Sequence, residues 1–373
     1  MKTLKISLVE KIPQKVKWIV ERLSAHGFTA YLVGGCVRDL LLGIPPKDYD
    51  VSTSATPEEI LEIFPRSRLI GRRFPIVHVY VNRNEVVEVS TFRGREELDG
   101  VVKENYGTPQ EDAQRRDLTI NSLFYDIKNQ LVIDYTGGLK DLERGIIRVI
   151  GDPLLRFKQD PVRMLRAIRH ASRLSFEITP EVWEAICLRK QLIKGVPKER
   201  LRDELLKDIE GGYISSWFYL LRKSQLIYEI YPFFRRLEKK GLISYPLLNK
   251  IFKEMESLPA SREEKVCLFL YGFLGVIKYS PFPEDWRKTP SFDREKLLKL
   301  FWSFFFTFRF CRAFFEDAMD IFRDAVKLVY LLYHGYSVSR KYKRKKHYAS
   351  SLKVAKSILK SLKRVGENGF KEL

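Results

Sequence analysis

The chain has 373 residues, 67 of them Lys or Arg and 47 Asp or Glu, for a formal net charge of +20. Length suggests two or three domains, at roughly 150 residues each, and the 45% of hydrophobic residues is enough for sizeable cores, which excludes a wholly disordered chain. Cys36, Cys187, Cys267 and Cys311 are dispersed without a Cys-x-x-Cys pair, and the five histidines are scattered, so reduced structural thiols are expected rather than a disulfide scaffold or a zinc cluster.

The first 150 residues read as mixed α/β. Thr29 to Val33 is a short apolar strand running into Gly34-Gly35, and Val37 to Leu42 a helix closed by Gly43. After Pro45-Pro46 comes Asp48-Tyr49-Asp50-Val51. Thr56-Pro57-Glu58-Glu59 is a capping box with proline in the first turn, opening a helix to about Phe64. Pro75 to Val81 and Glu85 to Thr91 alternate like the arms of a β-hairpin. Gly94 to Gln114 is polar, with Gly94, Gly100 and Gly107 spread through it, and reads as a long mobile loop. Leu118 to Asp126 resumes order, and Gln130 to Tyr135 is a further strand.

From about Gly151 the pattern turns helical, with helices expected at Leu154 to Arg173, Pro180 to Ile193 and Pro197 to Ile209, and Pro281 to Pro290 as a possible linker. No apolar core of signal-peptide length follows Met1. The greasiest run, Leu300 to Phe308, is bracketed by Lys299 and Arg309 and falls well short of the roughly 20 residues that span a bilayer. A buried helix and a soluble, cytoplasmic protein without membrane contact are therefore expected. Residues 335–373 carry 12 Lys or Arg against 2 Asp or Glu. There Arg340, Lys341, Lys343, Arg344, Lys345 and Lys346 alternate with Tyr336, Tyr342 and Tyr348, a mixture suited to RNA backbone and base contacts, or a solvated basic helix. Excess charge on this scale favours a polyanionic partner through counterion release.

Four groups of residues could carry chemistry. Asp48 and Asp50, two apart, emerge on one face if they lie on a strand. Two carboxylates that close repel unless a cation sits between them, and divalent metals in two-metal sites lie about 3.5–4 Å apart. Glu88 is the polar exception in Val86-Val87-Glu88-Val89 and a third candidate ligand. Asp-x-Asp alone is common in turns; here it follows Gly34-Gly35 by some fourteen residues in one strand–helix–strand unit, setting a phosphate cradle with Arg38 beside the carboxylates. No P-loop or Rossmann fingerprint is present. Arg115-Arg116-Asp117, with Asn121 a turn further on, could grip two anionic groups, or form a surface salt-bridge cluster. Asp160, Arg163, Arg166, Arg169 and Arg173 share one helical stripe. There Asp160 and Arg163 could present a donor–acceptor edge to a base, with an ordinary charged face as the alternative.

Several of these segments, in order, resemble class II tRNA nucleotidyltransferases and bacterial poly(A) polymerases of the polymerase-β-like superfamily. They are Tyr31-Leu-Val-Gly-Gly-Cys-Val-Arg-Asp-Leu-Leu-Leu-Gly43 with Asp48-Tyr-Asp50, Glu88-Val-Ser-Thr-Phe-Arg93, Glu111 to Leu123, Asp134 to Leu142, Gln159-Asp-Pro-Val-Arg-Met-Leu-Arg-Ala-Ile-Arg169, and Pro197 to Glu204. The resemblance covers roughly residues 28–235. It implies an α+β fold, with a palm over 1–150 (a small mixed sheet with flanking helices). An all-α neck for base selection follows over 151–215, and an RNA-binding body and basic tail over 216–373. It implies two Mg²⁺ ions on Asp48 and Asp50 with Glu88 as third carboxylate, and triphosphate on Gly34, Gly35 and Arg38. Ribose and phosphates fall to Arg115, Arg116, Asp117 and Asn121, and base selection to Asp160 and Arg163, with Arg166 and Arg169 on the same nucleotide-facing stripe. The implied substrates are CTP and/or ATP and an RNA, a tRNA 3′ end rather than DNA. Gln159 stands where the family usually has Glu. Leu69 to Val79 and Glu111 to Asp117 look like the poly(A) polymerase branch, while the general need for CCA ends leans the expectation narrowly toward tRNA. A non-catalytic RNA-binding protein and a small-molecule nucleotidyltransferase are the alternatives from other classes. The first predicts that Asp48→Ala changes nothing, and the second has no use for the basic tail.

Overall fold

The structure, a computed structural model, describes residues 1–71, 75–82, 85–98, 101–239, 243, 245–274, 302, 304–305, 307–333 and 335–363. The chain divides into two compact units, one of residues 1–156 with 176–182, the other of 157–175 with 183–373.

The first unit is built on a mixed sheet, eight-stranded among the described residues. Its strands are β1 (Lys2–Lys5), β2 (Ala30–Val33), β3 (Asp50–Thr53), β4 (Ser67–Ile70), β5 (Ile76–Tyr80) and β6 (Val86–Thr91). After a separate hairpin of β7 (Arg93–Leu98) and β8 (Val101–Tyr106) come β9 (Phe124–Asp126) and β10 (Leu131–Asp134), giving the order β1-β10-β9-β2-β3-β6-β5-β4. Neighbours are antiparallel except β3 and β6, which run parallel and pair Asp50 with Glu88 and Ser52 with Ser90. The parallel pair is possible because the helix Pro57–Ile63 lies within the connection between them. The Thr56 hydroxyl accepts from the Glu59 N–H (3.3 Å) and the Glu59 carboxylate accepts from the Thr56 N–H (2.7 Å), as the sequence predicts. Tyr31, Phe92 and Tyr135 each meet the Phe124 ring edge to face, and this aromatic group packs with Val33, Ala113 and Ile133.

The stretch 94–114, expected as a mobile loop, is instead the β7–β8 hairpin followed by the helix Pro109–Arg115. The two strands pair antiparallel, Arg93 opposite Tyr106 through Leu98 opposite Val101. The helix starts on a second capping box, Thr108 with Glu111, with the same Thr-Pro-x-Glu wording as the first.

The second unit is helical throughout its described residues. The single helix expected over 154–173 is two, Pro153–Gln159, whose residues to Arg156 belong to the first unit, and Val162–Leu174. Pro161 lacks an N–H and disfavours helical backbone at Asp160, so the chain breaks between them. Pro180 opens a helix to Arg189 that tightens into a 3₁₀ turn at Lys190–Gly195, and Lys198–Glu210 follows. Phe218, Phe234, Phe252 and Phe269 form the aromatic centre, with ring centroids 5.4–5.8 Å apart. In the greasy run Phe304, Phe305 and Phe308 are buried and Trp302 is exposed. Among the described residues no helix is long and apolar enough to cross a membrane. The linker expected at 281–290 lies outside the described residues. The thiols are free, with Cys36 and Cys267 buried and Cys311 exposed.

Candidate active site

The sheet places the candidate residues by register. β2 ends at Val33, which pairs with Asp50 across the antiparallel β2–β3 ladder, so the glycine turn and the first residue of β3 meet. Gly34 has φ +80°, a left-handed value that favours glycine. A Cβ there would meet Arg116 Nη1 at 3.3 Å and Asp50 Oδ2 at 3.9 Å. Gly34, Asp50 and Arg116 therefore converge on one point.

Asp50 and Ser52 share one face of β3, and Glu88 and Ser90 the matching face of β6. Ser52 Oγ lies 3.0 Å from Ser90 Oγ. Asp48 is not on the strand: it occupies the exposed bend before β3, so the pair does not share a strand face as the Asp-x-Asp spacing suggested. It remains near enough to act on Asp50 electrostatically. Burial, then the negative charges of Glu88 and Asp48, push the Asp50 carboxyl up to about 6, while Arg116 pulls the other way. Glu88 is exposed, 3.4 Å from His78 Nε2 on β5.

The cleft beside these carboxylates encloses about 250 Å³ and is lined by Val33, Asp50, Ile76, Glu88, Ser90, Arg93, Asp112, Arg115 and Arg116. Arg116 is the cation at its centre. Its guanidinium donates to Asp112 at 2.7 and 3.2 Å and to Ser52 Oγ at 3.3 Å, and lies 5.5 Å over the Phe124 ring. Arg115 lines the same cleft. Five of the lining residues, Val33, Ile76, Ser90, Arg93 and Asp112, were not singled out as site residues from sequence, nor were Ser52 and His78 beside them. Ser52 and Ser90 were findable by strand alternation from Asp50 and Glu88, and Asp112 by its four-residue step to Arg116.

Other candidates lie elsewhere in the fold. Arg38 is only 1% exposed. Its guanidinium donates to Asp39 at 2.7 and 2.9 Å and to the Asn121 side-chain oxygen. The predicted phosphate ligand is thus an internal strut joining the helix Gly35–Leu41 to the turn Thr119–Asn121. Asp117 and Asn121 are likewise buried, and Asp117 accepts from the Leu118 N–H at 2.8 Å.

In the helical unit the Asp160 carboxylate pairs with Arg200 at 3.0 Å and caps the Val162 N–H, while Arg163 N–H donates to the Asp160 carbonyl. Arg163 and Arg166 are half-buried. Arg169 departs from the expected nucleotide-facing stripe: it is buried, donates to Asp208 at 2.6 Å and pairs with Glu204. The basic tail is divided too. Lys345 pairs with the buried Asp324 at 2.9 Å and so serves the packing of the tail on the helix Arg312–Tyr333, while the exposed Lys346 pairs with Asp317 of that helix at 2.8 Å. Arg340, Lys341, Lys343 and Arg344 face solvent.

Among the described residues no three His, Cys, Asp or Glu side chains stand assembled as a cage for one ion. The donor set nevertheless fits a hard divalent cation: all three groups are carboxylates, and burial and like charge oppose ionisation of the central one.

A mixed sheet with acidic residues at the start of β3 and opposite it on β6, and a glycine turn and two arginines around them, defines a nucleotidyltransferase-type palm. The model of the poly A polymerase head domain matches residues 30–148, and that of the probable RNA and SrmB- binding site of polymerase A matches 175–238. Poly(A) polymerase I of Escherichia coli is 45% identical over 228 residues, covering 57% of this chain and 49% of that one. The CC-adding tRNA nucleotidyltransferase of Halalkalibacterium halodurans is 42% identical over 215 residues, covering 58% and 52%. The chain spans about half the length of these curated relatives. The crystal structure of the Bacillus stearothermophilus CCA-adding enzyme in complex with CTP superposes with a TM-score of 0.64 at 27% identity, covering 96% of this chain and 80% of that one. The chain belongs to the class II nucleotidyltransferase family of poly(A) polymerases and CCA-adding enzymes.

Proposed function

We propose that this protein adds nucleotides, without a template, from ATP and/or CTP to the 3′-hydroxyl of an RNA, releasing pyrophosphate. The observation that carries this reading is the parallel β3–β6 register, which sets Asp50 beside Glu88 in one cleft with Arg115 and Arg116. Asp48 and Asp50, with Glu88 as third carboxylate, hold Mg²⁺; when bound, the metal neutralises phosphate charge and lowers the pKa of the attacking hydroxyl. Arg115 and Arg116 receive the phosphates, and the missing side chain at Gly34 lets them approach the backbone. The 3′-hydroxyl attacks the α-phosphorus in line and pyrophosphate leaves, so positioning and charge do most of the work. Asp160 and Arg163, on the neck over 151–215, select the base, with Gln159 altering that choice. Asp117, Asn121 and Arg38, all buried, act by fixing the backbone from 117 to 121 beside the glycine turn. The exposed tail residues Arg340, Lys341, Lys343 and Arg344 hold RNA, and the cytoplasm is the compartment.

The acceptor in this reading is a tRNA 3′ end, completed with CCA, CC or A. A second reading, AMP tails on general RNA, is favoured by the 45% identity to a poly(A) polymerase. Incubation with tRNA lacking CCA and with oligo(A), each with ATP or CTP, followed by sequencing of product ends, tests both. Addition that stops within three nucleotides on tRNA alone supports the first, and long A tails on either RNA the second. Transfer that survives Asp50→Ala would overturn both.

A further inference from the structure

Arg156 has no place in the chemistry described above, yet it is a cation only 6% exposed. It lies on the helix Pro153–Gln159, whose first turn is fixed by the Asp152 carboxylate accepting from the Leu154 N–H at 2.8 Å. The chain before it is tied to the segment after the two cleft arginines. Ile150 N–H donates to the Asp117 carbonyl at 3.1 Å, Leu118 bridges to Val149, and Thr119 N–H donates to the Arg148 carbonyl at 3.0 Å. That short antiparallel track delivers Arg156 to the end of the helix Pro109–Arg115. There a single nitrogen, Nη2, donates to two carbonyls, those of Gln114 at 3.0 Å and Arg116 at 2.6 Å.

Both acceptors belong to the helix end. The last carbonyls of a helix have no partner within it and carry the negative end of its dipole. At Arg116 the backbone leaves the helix, with φ −64° and ψ 171°. The two carbonyls held by Arg156 therefore bracket Arg115 and fix the backbone from which both cleft arginines project. Asp112 and Ser52 hold the far end of the Arg116 side chain; Arg156 holds its base.

We propose that Arg156 is a positioning residue for phosphate binding: by clamping the Gln114 and Arg116 carbonyls it sets Arg115 and Arg116 at the cleft without touching the nucleotide itself. The proposal rests on the reading of the cleft as a triphosphate site. Loss of the clamp frees the helix end, and displacement of a binding group by about 1 Å is enough to cost a large factor in function. Lysine at 156 retains a charged donor that can serve both carbonyls, whereas methionine keeps the volume and removes the donors.

The test measures binding of ATP and of inorganic pyrophosphate, each with Mg²⁺, by titration calorimetry, alongside thermal melts. The proteins are wild type, Arg156→Met, Arg156→Ala, Arg156→Lys and the control Arg148→Met, which removes an arginine paired instead with Asp141. Expected are a Kd for both ligands raised roughly tenfold or more in R156M, recovery to within about threefold in R156K, and no change in R148M. Added guanidinium should tighten ATP binding by Arg156→Ala, whose truncated side chain leaves room for it, but not by wild type. If R156M is too unstable to titrate, Arg156→Ala with and without guanidinium decides: affinity equal to wild type and no response overturns the proposal. Unchanged affinity in R156M beside wild-type binding overturns it alone, leaving the site reading intact; absence of binding by wild type overturns the site reading and the proposal with it.

Discussion

Asp50 is held where its ionised form is disfavoured. It is enclosed at the start of β3, faces Glu88 across a parallel ladder and has Asp48 two residues away. Burial first, then these neighbouring charges, push its carboxyl up to about 6, above the usual carboxylate range. A raised folded-state value means that folding is favoured by protonation, so this contribution is fully present below about pH 4 and is lost as pH rises through about 6. Without metal, Asp50→Asn should therefore melt above wild type at pH 7.5, and the gap should close by pH 4. Thermal melts at the two pH values check this, and a mutant that melts below wild type at pH 7.5 would refute it. The same substitution should abolish transfer, the usual conflict between stability and function at a charged site. Asp50, Glu88, Arg115 and Arg116 were legible in the sequence because their chemistry is local in type and spacing. Arg38 was misplaced because an arginine after a glycine pair has the same spelling whether it faces a phosphate or, as here, a buried Asp39 and Asn121.

At the scale of elements, register and caps decide what the chain presents. The Thr56 capping box was read correctly, and the equivalent at Thr108 was passed over amid glycines and charges. The β7–β8 hairpin was missed because its strands are polar, and hydrophobic alternation is the signal by which strands are read. On the helix Val162–Leu174, Arg169 turns inward onto Asp208 and Glu204 from the helix Lys198–Glu210. Periodicity gives the stripe, but a partner that carries opposite charge can turn one arginine of that stripe inward. Arg169→Met would leave two carboxylates buried without their cation, a loss of about 3–5 kcal/mol. Chemical denaturation should show that loss; a change below about 1 kcal/mol would mean that the pair is dispensable for folding.

Across the whole molecule the +20 charge is not one uniform surface. Lys345, Lys346, Lys353 and Lys360 are committed to ion pairs with acidic residues of neighbouring helices, whereas the exposed Arg340, Lys341, Lys343 and Arg344 make no ion pair among the described residues. Neutralising those four together should lower the slope of log affinity for single-stranded RNA against log salt by about 3, at about 0.7 per phosphate contact. Neutralising Lys345 and Lys346 should instead lower the melting temperature and leave the slope nearly unchanged. Filter binding over a salt series, paired with melts, separates the two groups; equal slopes in all three proteins would remove the tail from the RNA surface.

The sequence by itself determined the fold class, the glycine turn, the arginine pair and the basic excess, because each depends on residue type at short spacing. Tertiary structure alone decided which charges work outward. Whether Arg38, Arg169, Lys345 or Arg156 faces a ligand or a neighbour depends on groups brought from distant parts of the chain, and a buried ion pair and an open binding site are written with the same residues.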